Sequence, residues 1–204
     1  MDLITPEDLY LSNFTVILKP LEPGPKVSET RKLEGKQLLY LIVIYRNYGP
    51  TLKTSRKGTE KFGCDQVLWL LHDYVTEVGT MNFFVFWKNE EGENELITPP
   101  LDGTILPGVT RDSIISLCKE IGEFKVSIKP FKIQDLMKAA KEKRLYEAFG
   151  TGTAAIVSPV QSFYYEGELF TVPIEQEKGA GKLTQRILQM MTDLQYGRVS
   201  RPAW

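Results

Sequence analysis

Residues that build metal centres and disulfides are scarce in this chain of 204 residues. It has two cysteines, Cys64 and Cys118, and one histidine, His72. The cysteines lack the spacing of a zinc ribbon or finger. A single histidine excludes a multi-histidine metal centre and argues against a histidine-based catalytic triad. We therefore expect no metal site and a reducing compartment.

An excess of one charge and a long hydrophobic run are also missing. Lys and Arg total 25 against 26 Asp and Glu, which gives a net charge of −1. This balance provides no electrostatic basis for binding nucleic acid. The longest apolar run, residues 38–45, is far shorter than the ~20 residues of a membrane span, and the N-terminus resembles neither a signal nor a transit peptide. We expect a cytoplasmic protein without nucleic-acid or membrane partners; a mitochondrial location stays open if the N-terminus is rearranged.

The composition of the chain changes near residue 46. Residues 19–37 contain three prolines and many charges, which is typical of a linker or surface loop. Further along, apolar runs and helical spacings predict a mixed α and β domain with many hairpin strands and about three helices. We therefore divide the chain into an N-terminal segment with a proline-rich linker, residues 1–46, and a compact domain, residues 47–204.

Two local clusters combine a chemical group with a turn or a helix start. Residues 76–82 place Glu77 beside a glycine between two predicted strands, although an ordinary surface turn is the commoner interpretation of this pattern. Residues 106–111 open a predicted helix, where free N–H groups and the helix dipole favour an anion. An ordinary helix start is the commoner interpretation here as well.

Two further clusters lie elsewhere in the domain. Residues 149–154 contain glycines and threonines that allow backbone N–H groups to converge on a phosphate or carboxylate, a weak signal by itself. Residues 47–49 contain Tyr48, whose hydroxyl could act chemically or whose ring could simply pack. One carboxylate, two anion-binding turns and a phenol together suit a phosphorylated heteroaromatic cofactor. If the cofactor is pyridoxal phosphate, Glu77 would pair with its protonated ring nitrogen.

Several motifs in the same order closely resemble the branched-chain amino acid aminotransferases. These motifs are Asn47-Tyr48-Gly49, QVLWL at 66–70, TEVGTMN at 76–82, the run at 98–111, GTGTAAIVSPV at 150–160 and Leu194 to Gly197. The resemblance covers residues 47–197. It implies an α+β, D-amino-acid aminotransferase-like fold that binds pyridoxal phosphate. Only the large C-terminal domain is expected here, with a mixed sheet or barrel and about three helices.

The resemblance also implies roles for residues around the cofactor ring. Glu77 corresponds to the residue that holds the pyridine nitrogen, and Tyr48 to the one that contacts the ring hydroxyl. Thr80 corresponds to a residue that helps to orient the cofactor near Glu77.

Other positions match the family's phosphate and substrate subsites. Val109 and Thr110 would offer backbone N–H groups to the phosphate, and Gly152 would belong to the same cofactor site. Thr153 and Ala154 sit where the family binds the substrate carboxylate. The implied substrates are branched-chain amino acids and 2-oxo acids, and the implied assembly is usually a homodimer.

The resemblance breaks at the position of the lysine that the family attaches to its cofactor. The family pattern is Lys-x-Gly-Gly-Asn-Tyr-Gly, and here Val43 stands at the lysine position while both glycines are replaced. Valine can neither bond to the cofactor nor carry a proton, so no catalytic residue is identified. Residues 1–46 also do not resemble the family's small N-terminal domain.

Two hypotheses of function follow. The first is amino transfer between Leu, Ile or Val and 2-oxoglutarate, with activity expected to be impaired in this chain. The second is a truncated, non-catalytic relative that binds cofactor or forms a heterodimer with a full-length family member. A third explanation is a rearranged or imperfectly spliced gene. The abrupt break at Asn47 favours the second or the third.

Overall fold

A computed structural model describes residues 63–175 and 179–201, the backbone of residues 14–20, and positions 56 and 60. Val43, Tyr48 and the predicted domain boundary at residue 46 lie outside the described residues. The strands are β1 Phe14–Pro20, β2 Gln66–Leu71, β3 Tyr74–Val78, β4 Met81–Lys88, β5 Asn94–Thr98, β6 Lys125–Ile128, β7 Leu145–Thr151, β8 Ser158–Tyr165 and β9 Glu168–Thr171. The helices are α1 Val109–Ile121, α2 Ile133–Lys141 and α3 Lys182–Gln195.

The nine strands of the described residues form one sheet in the order β3-β2-β1-β8-β7-β4-β5-β6, with β9 paired to β8. Because β3 also pairs with β4, six strands close into a ring. The pairs β1–β2, β1–β8 and β5–β6 are parallel, and the other pairs are antiparallel. The mixed sheet or barrel with about three helices is therefore confirmed.

Strand β4 is buried on both faces and separates two hydrophobic clusters. Phe83 and Val85 belong to a cluster that includes residues of α2, whereas Phe84 lies in a second cluster with residues of α1 and α3. Alternate side chains of a strand point to opposite faces, so one strand contributes to both clusters. This places both ends of β4, and the loops attached to them, on a rigid support.

The structure corrects several details of the predicted elements. The strand expected over residues 154–160 begins only at Ser158, and the residues before it form a turn. Strands β3 and β7 were not predicted. Neither was β1, whose last two residues fall in the expected linker of residues 19–37. β1 was missed because it pairs in parallel with strands far away in sequence, which no local pattern indicates.

Candidate functional site

A two-residue turn joins β3 to β4 and carries Glu77 on the strand that precedes it. Glu77 pairs across the hairpin with Asn82. Gly79 has a φ of 57°, and a Cβ at this position would collide with the side chain of Gln66. The turn therefore requires glycine. Thr80 is exposed at the tip of the turn.

The same turn is fixed to strand β2. The backbone N–H of Gly79 donates to the carbonyl of Val67 at 2.7 Å, and Trp69 Nε1 donates to the carbonyl of Gly79 at 2.8 Å. Both neighbours of Glu77 along β3 are buried. Residues 76–78 are therefore the buried end of a strand and not an ordinary surface turn.

The carboxylate of Glu77 is partly buried, and no charged side chain of the described residues shifts its pKa. Its Oε1 accepts hydrogen bonds from the backbone N–H of Leu106 at 2.7 Å and from Asn82 Nδ2 at 3.2 Å. Burial raises the pKa of Glu77 to about 7, although the Leu106 hydrogen bond lowers it. A protonated ring nitrogen beside this carboxylate would favour its ionised form, so the arrangement suits a cationic heteroaromatic ligand.

The connection between β5 and α1 is held close to Glu77 by two buried side chains. Asn82 Nδ2 also donates to the carbonyl of Leu106 at 2.8 Å, and a Cβ at Gly108 would collide with the Asn82 side-chain oxygen. Arg111, which is buried, donates through Nη2 to the carbonyl of Pro99 at 2.8 Å. Both ends of the connection are thus fixed, and with them the start of the helix.

Helix α1 begins without a side-chain cap. Gly108 is its N-cap residue, and the first intrahelical hydrogen bond runs from the N–H of Asp112 to the carbonyl of Gly108 at 3.0 Å. The N–H groups of Val109 and Thr110 precede this bond and have no acceptor within the helix. Val109 is 83% exposed, so this helix start is open to an anion.

The turn predicted to bind a substrate carboxylate lies beside this helix start. The N–H of Gly152 donates to the carbonyl of Ala155 at 3.1 Å, which closes a tight turn after β7. Thr153 and Ala154 form the exposed tip of that turn. Thr110 Oγ1 donates to the carbonyl of Gly152 at 3.4 Å, which links the turn to the first residues of α1.

Contacts therefore join three of the predicted subsites. Glu77 binds Leu106, three residues before α1 begins, and Thr110 of α1 binds Gly152. Met81, the first residue of β4, packs against the Gly152 turn, since a Cβ at Gly152 would lie 3.3 Å from Met81 Cγ. The residues predicted for the ring nitrogen, the phosphate and the substrate carboxylate thus lie on adjacent loops.

Two contributors to this site received no role from the sequence. Asn82 was part of the motif TEVGTMN, and the backbone of Leu106 was part of the predicted helix-start cluster. Recognising 74–78 as a strand would have indicated Asn82, because a two-residue turn places it opposite Glu77. Nothing in the sequence indicates the contact of Glu77 with Leu106, 29 residues away.

A family model covers the part of the chain that contains this site. Residues 46–163 match the model of amino-transferase class IV. The chain belongs to the class IV aminotransferases. The matched segment includes the Glu77 turn, the start of α1 and the Gly152 turn, so the candidate site falls within the part that defines the family.

Individual class IV relatives extend the comparison. The chain is 57% identical over 155 residues to a branched-chain-amino-acid aminotransferase of Dictyostelium discoideum, covering 76% of this chain and 41% of the relative. It is 50% identical over 199 residues to the cytosolic enzyme of Rattus norvegicus, covering 97% of this chain and 47% of the relative. The chain thus spans about two fifths to one half of the length of these curated relatives.

Solved structures show the same fold. A branched-chain aminotransferase from Thermobaculum terrenum, in its pyridoxal phosphate form, aligns with a TM-score of 0.63 at 20% identity, covering 92% of this chain and 52% of that one. The enzyme from Escherichia coli aligns with a TM-score of 0.58 at 25% identity, covering 93% and 55%. The expected aminotransferase fold is therefore confirmed.

Two classes of feature are absent from the part of the chain that the structure describes. None of its helices is long and apolar enough to cross a membrane. In the same part, no group of three or more His, Cys, Asp or Glu residues is arranged to hold a metal ion.

Proposed function

We propose that this protein binds pyridoxal phosphate and acts in amino transfer between branched-chain amino acids and 2-oxo acids. The observation that carries the proposal is the partly buried carboxylate of Glu77, which is tied through Leu106 to an uncapped, exposed helix start. Such a pair suits a ligand with a protonated ring nitrogen at one end and a phosphate at the other. The substrate class rests on the 57% and 50% identical relatives, which are named branched-chain aminotransferases.

The described residues fit the cofactor at its ring nitrogen and its phosphate. Glu77 would hold the proton on the ring nitrogen, and the positive charge there would stabilise the ionised form of a carboxylate that burial disfavours. The N–H groups of Val109 and Thr110 would bind the phosphate, with Gly152 beside them. Pyridoxal phosphate, when bound, supplies an electron sink for the substrate's α-carbon.

The remaining roles are proposed from the family resemblance. Tyr48 would contact the ring hydroxyl, and Thr80 would help to orient the ring beside Glu77. Thr153 and Ala154, at the exposed tip of their turn, would offer backbone N–H groups to the substrate carboxylate. A homodimer and a cytoplasmic location are proposed in the same way; the relatives include cytosolic and mitochondrial enzymes.

A second function is favoured by one observation, the valine at position 43. The family lysine at this position both attaches the cofactor and moves the proton of the substrate, and valine does neither. In this alternative the chain binds the cofactor without catalysis, or pairs with a full-length family member. The division of the chain at residue 46 belongs to the same proposal.

One experiment separates the two functions. The chain is titrated with pyridoxal phosphate, reduced with borohydride and mapped by peptide mass spectrometry, and transfer from leucine to 2-oxoglutarate is assayed in parallel. Label on one lysine together with amino transfer supports the enzyme. Reversible binding without specific label supports the non-catalytic alternative, and co-purification with an intact family member supports the role of a dimer partner. Failure both to bind pyridoxal phosphate and to co-purify with an intact family member would contradict both functions.

A further inference from the structure

Asn82 connects three parts of the candidate site. Its side chain, 4% exposed, lies on β4 directly opposite Glu77. The single Nδ2 group donates to Glu77 Oε1 at 3.2 Å and to the carbonyl of Leu106 at 2.8 Å. Its Oδ1 lies against Gly108, the residue before helix α1, where a Cβ would not fit. One amide therefore contacts the carboxylate, the loop and the helix start.

The hydrogen bonds to Glu77 are unevenly distributed between its two oxygens. Both the Leu106 N–H and Asn82 Nδ2 donate to Oε1. Among the described residues, none donates to Oε2. Small rotations of a carboxylate held in this way weaken both hydrogen bonds, so the two donors fix the plane of the carboxylate and, of the described residues, leave Oε2 to a ligand.

We propose that Asn82 is a positioning residue for the cofactor. Through Oε1 it sets the rotation of the Glu77 carboxylate so that Oε2 meets the ring nitrogen. Through Leu106 and Gly108 it keeps the start of α1 at a constant distance from that carboxylate. The ring nitrogen and the phosphate belong to one small molecule, a planar ring with a short phosphate arm, so affinity depends on the spacing of the two groups that bind them. This inference rests on the proposed function.

The electrostatic surroundings of Glu77 make the effect of Asn82 measurable. Burial raises the pKa of Glu77 and the Leu106 N–H lowers it; among the described residues, no charged side chain contributes to this shift. A donor to the ionised form favours that form, so removing Asn82 Nδ2 is expected to move the pKa of Glu77 further upward. A role for Asn82 that is confined to filling space in the core predicts no such change.

The probe is deoxypyridoxine phosphate, an analogue of pyridoxal phosphate with a methyl group in place of the aldehyde. It keeps the ring nitrogen and the phosphate, and it binds without a lysine. Asn82→Leu removes the amide at nearly constant size, and Asn82→Ala removes the same donor without adding bulk. Asn89→Leu is the matched control: Asn89 is 5% exposed at the far end of β4, and its Nδ2 donates to Glu93 at 3.1 Å.

Affinity is measured by calorimetry between about pH 6 and 8.5, and the Glu77 carboxyl is titrated by carbon NMR without ligand. Both Asn82 variants are expected to bind about tenfold more weakly, which is the effect of one hydrogen bond to a charged group. The Glu77 titration should move to higher pH in both, and Asn89→Leu should change neither quantity.

Two results would overturn the inference while the proposed function stands. One is unchanged affinity in the Asn82 variants. The other is a loss of affinity for the probe that is equal at every pH, with the titration of Glu77 unchanged. If the unsubstituted chain does not bind the probe, the proposed function is wrong and the inference falls with it. Circular dichroism of each variant confirms that a folded protein is being compared.

Discussion

Replacing Glu77 with glutamine should stabilise the protein without ligand and weaken its binding of the cofactor. In the folded chain, burial raises the pKa of Glu77 to about 7, against an ordinary value of 4.5. Between pH 4.5 and about 7, the folded state therefore holds a proton on Glu77 that the unfolded state has released. The stability that protonated Glu77 contributes is complete below pH 4.5 and is lost as the pH rises through about 7.

The size of the effect follows from these two pKa values. Each pKa unit corresponds to 1.36 kcal/mol, so the carboxylate costs at most about 3 kcal/mol of folding free energy above pH 7. Glutamine keeps an oxygen acceptor for the N–H of Leu106 and carries no charge, so the variant avoids this cost. It cannot form a charge-assisted hydrogen bond to a protonated ring nitrogen, and we expect roughly 10- to 100-fold weaker binding of deoxypyridoxine phosphate.

Urea unfolding of both proteins at pH 5 and pH 8, without ligand, measures the first effect. Glu77→Gln should gain up to about 2.5 kcal/mol relative to the unsubstituted chain on going from pH 5 to pH 8, because a small part of the difference is already present at pH 5. Glu91→Gln, on an exposed turn, is the control, and its unfolding free energy should follow that of the unsubstituted chain. If the free energies of Glu77→Gln and the unsubstituted chain change in parallel with pH, the pKa of Glu77 does not differ between the folded and unfolded states, and the prediction is wrong.

Three further predictions concern other positions. Val43→Lys should give a single labelled lysine after borohydride reduction with pyridoxal phosphate, as mapped by mass spectrometry. Labels scattered over many lysines would contradict the match of position 43 to the lysine of the family motif. Glu147→Ala should lower the urea-unfolding free energy by about 3 kcal/mol or more. The buried carboxylate of Glu147 caps α3, since it accepts hydrogen bonds from the N–H groups of Leu183 and Thr184 at 2.8 Å each. A loss of stability below about 1 kcal/mol would contradict this prediction. Burial raises the pKa of Glu95, but hydrogen bonds from neighbouring side chains lower it more, so the net shift is downward. The ionised Glu95 carboxylate therefore stabilises the fold, and this stabilisation should disappear as the pH falls below 4.5. The difference in unfolding free energy between pH 3 and pH 6 should be smaller in Glu95→Gln than in the unsubstituted chain.

The surroundings of the Glu77 carboxylate suit ligand binding better than they suit folding. A buried carboxylate that accepts its hydrogen bonds from neutral N–H groups is unfavourable for folding by itself. It becomes favourable when a cationic group binds next to it, since the charge pair then forms in a weakly solvated place. Opposite effects of one substitution on stability and on affinity would therefore identify Glu77 as a residue kept for binding.

The family, the three helices and a set of candidate subsites could be predicted from local patterns in the sequence. Helices have a local signature, because apolar residues at positions such as Ile114 and Cys118, or Ile187 and Met191, repeat with the helical period. The ordered motifs identified Glu77 in the same way, as a local string of residues.

The way in which these elements meet could be seen only in the folded chain. Strand β1 pairs with β2 and β8, which lie roughly fifty and well over a hundred residues further along the chain, and such parallel pairing leaves no periodic trace. The contacts of Glu77 and Asn82 with Leu106 join residues that are 29 and 24 positions apart. Burial and hydrogen-bond geometry arise from this folding, so the pKa of Glu77 and the positioning role of Asn82 follow from the fold and not from the motif.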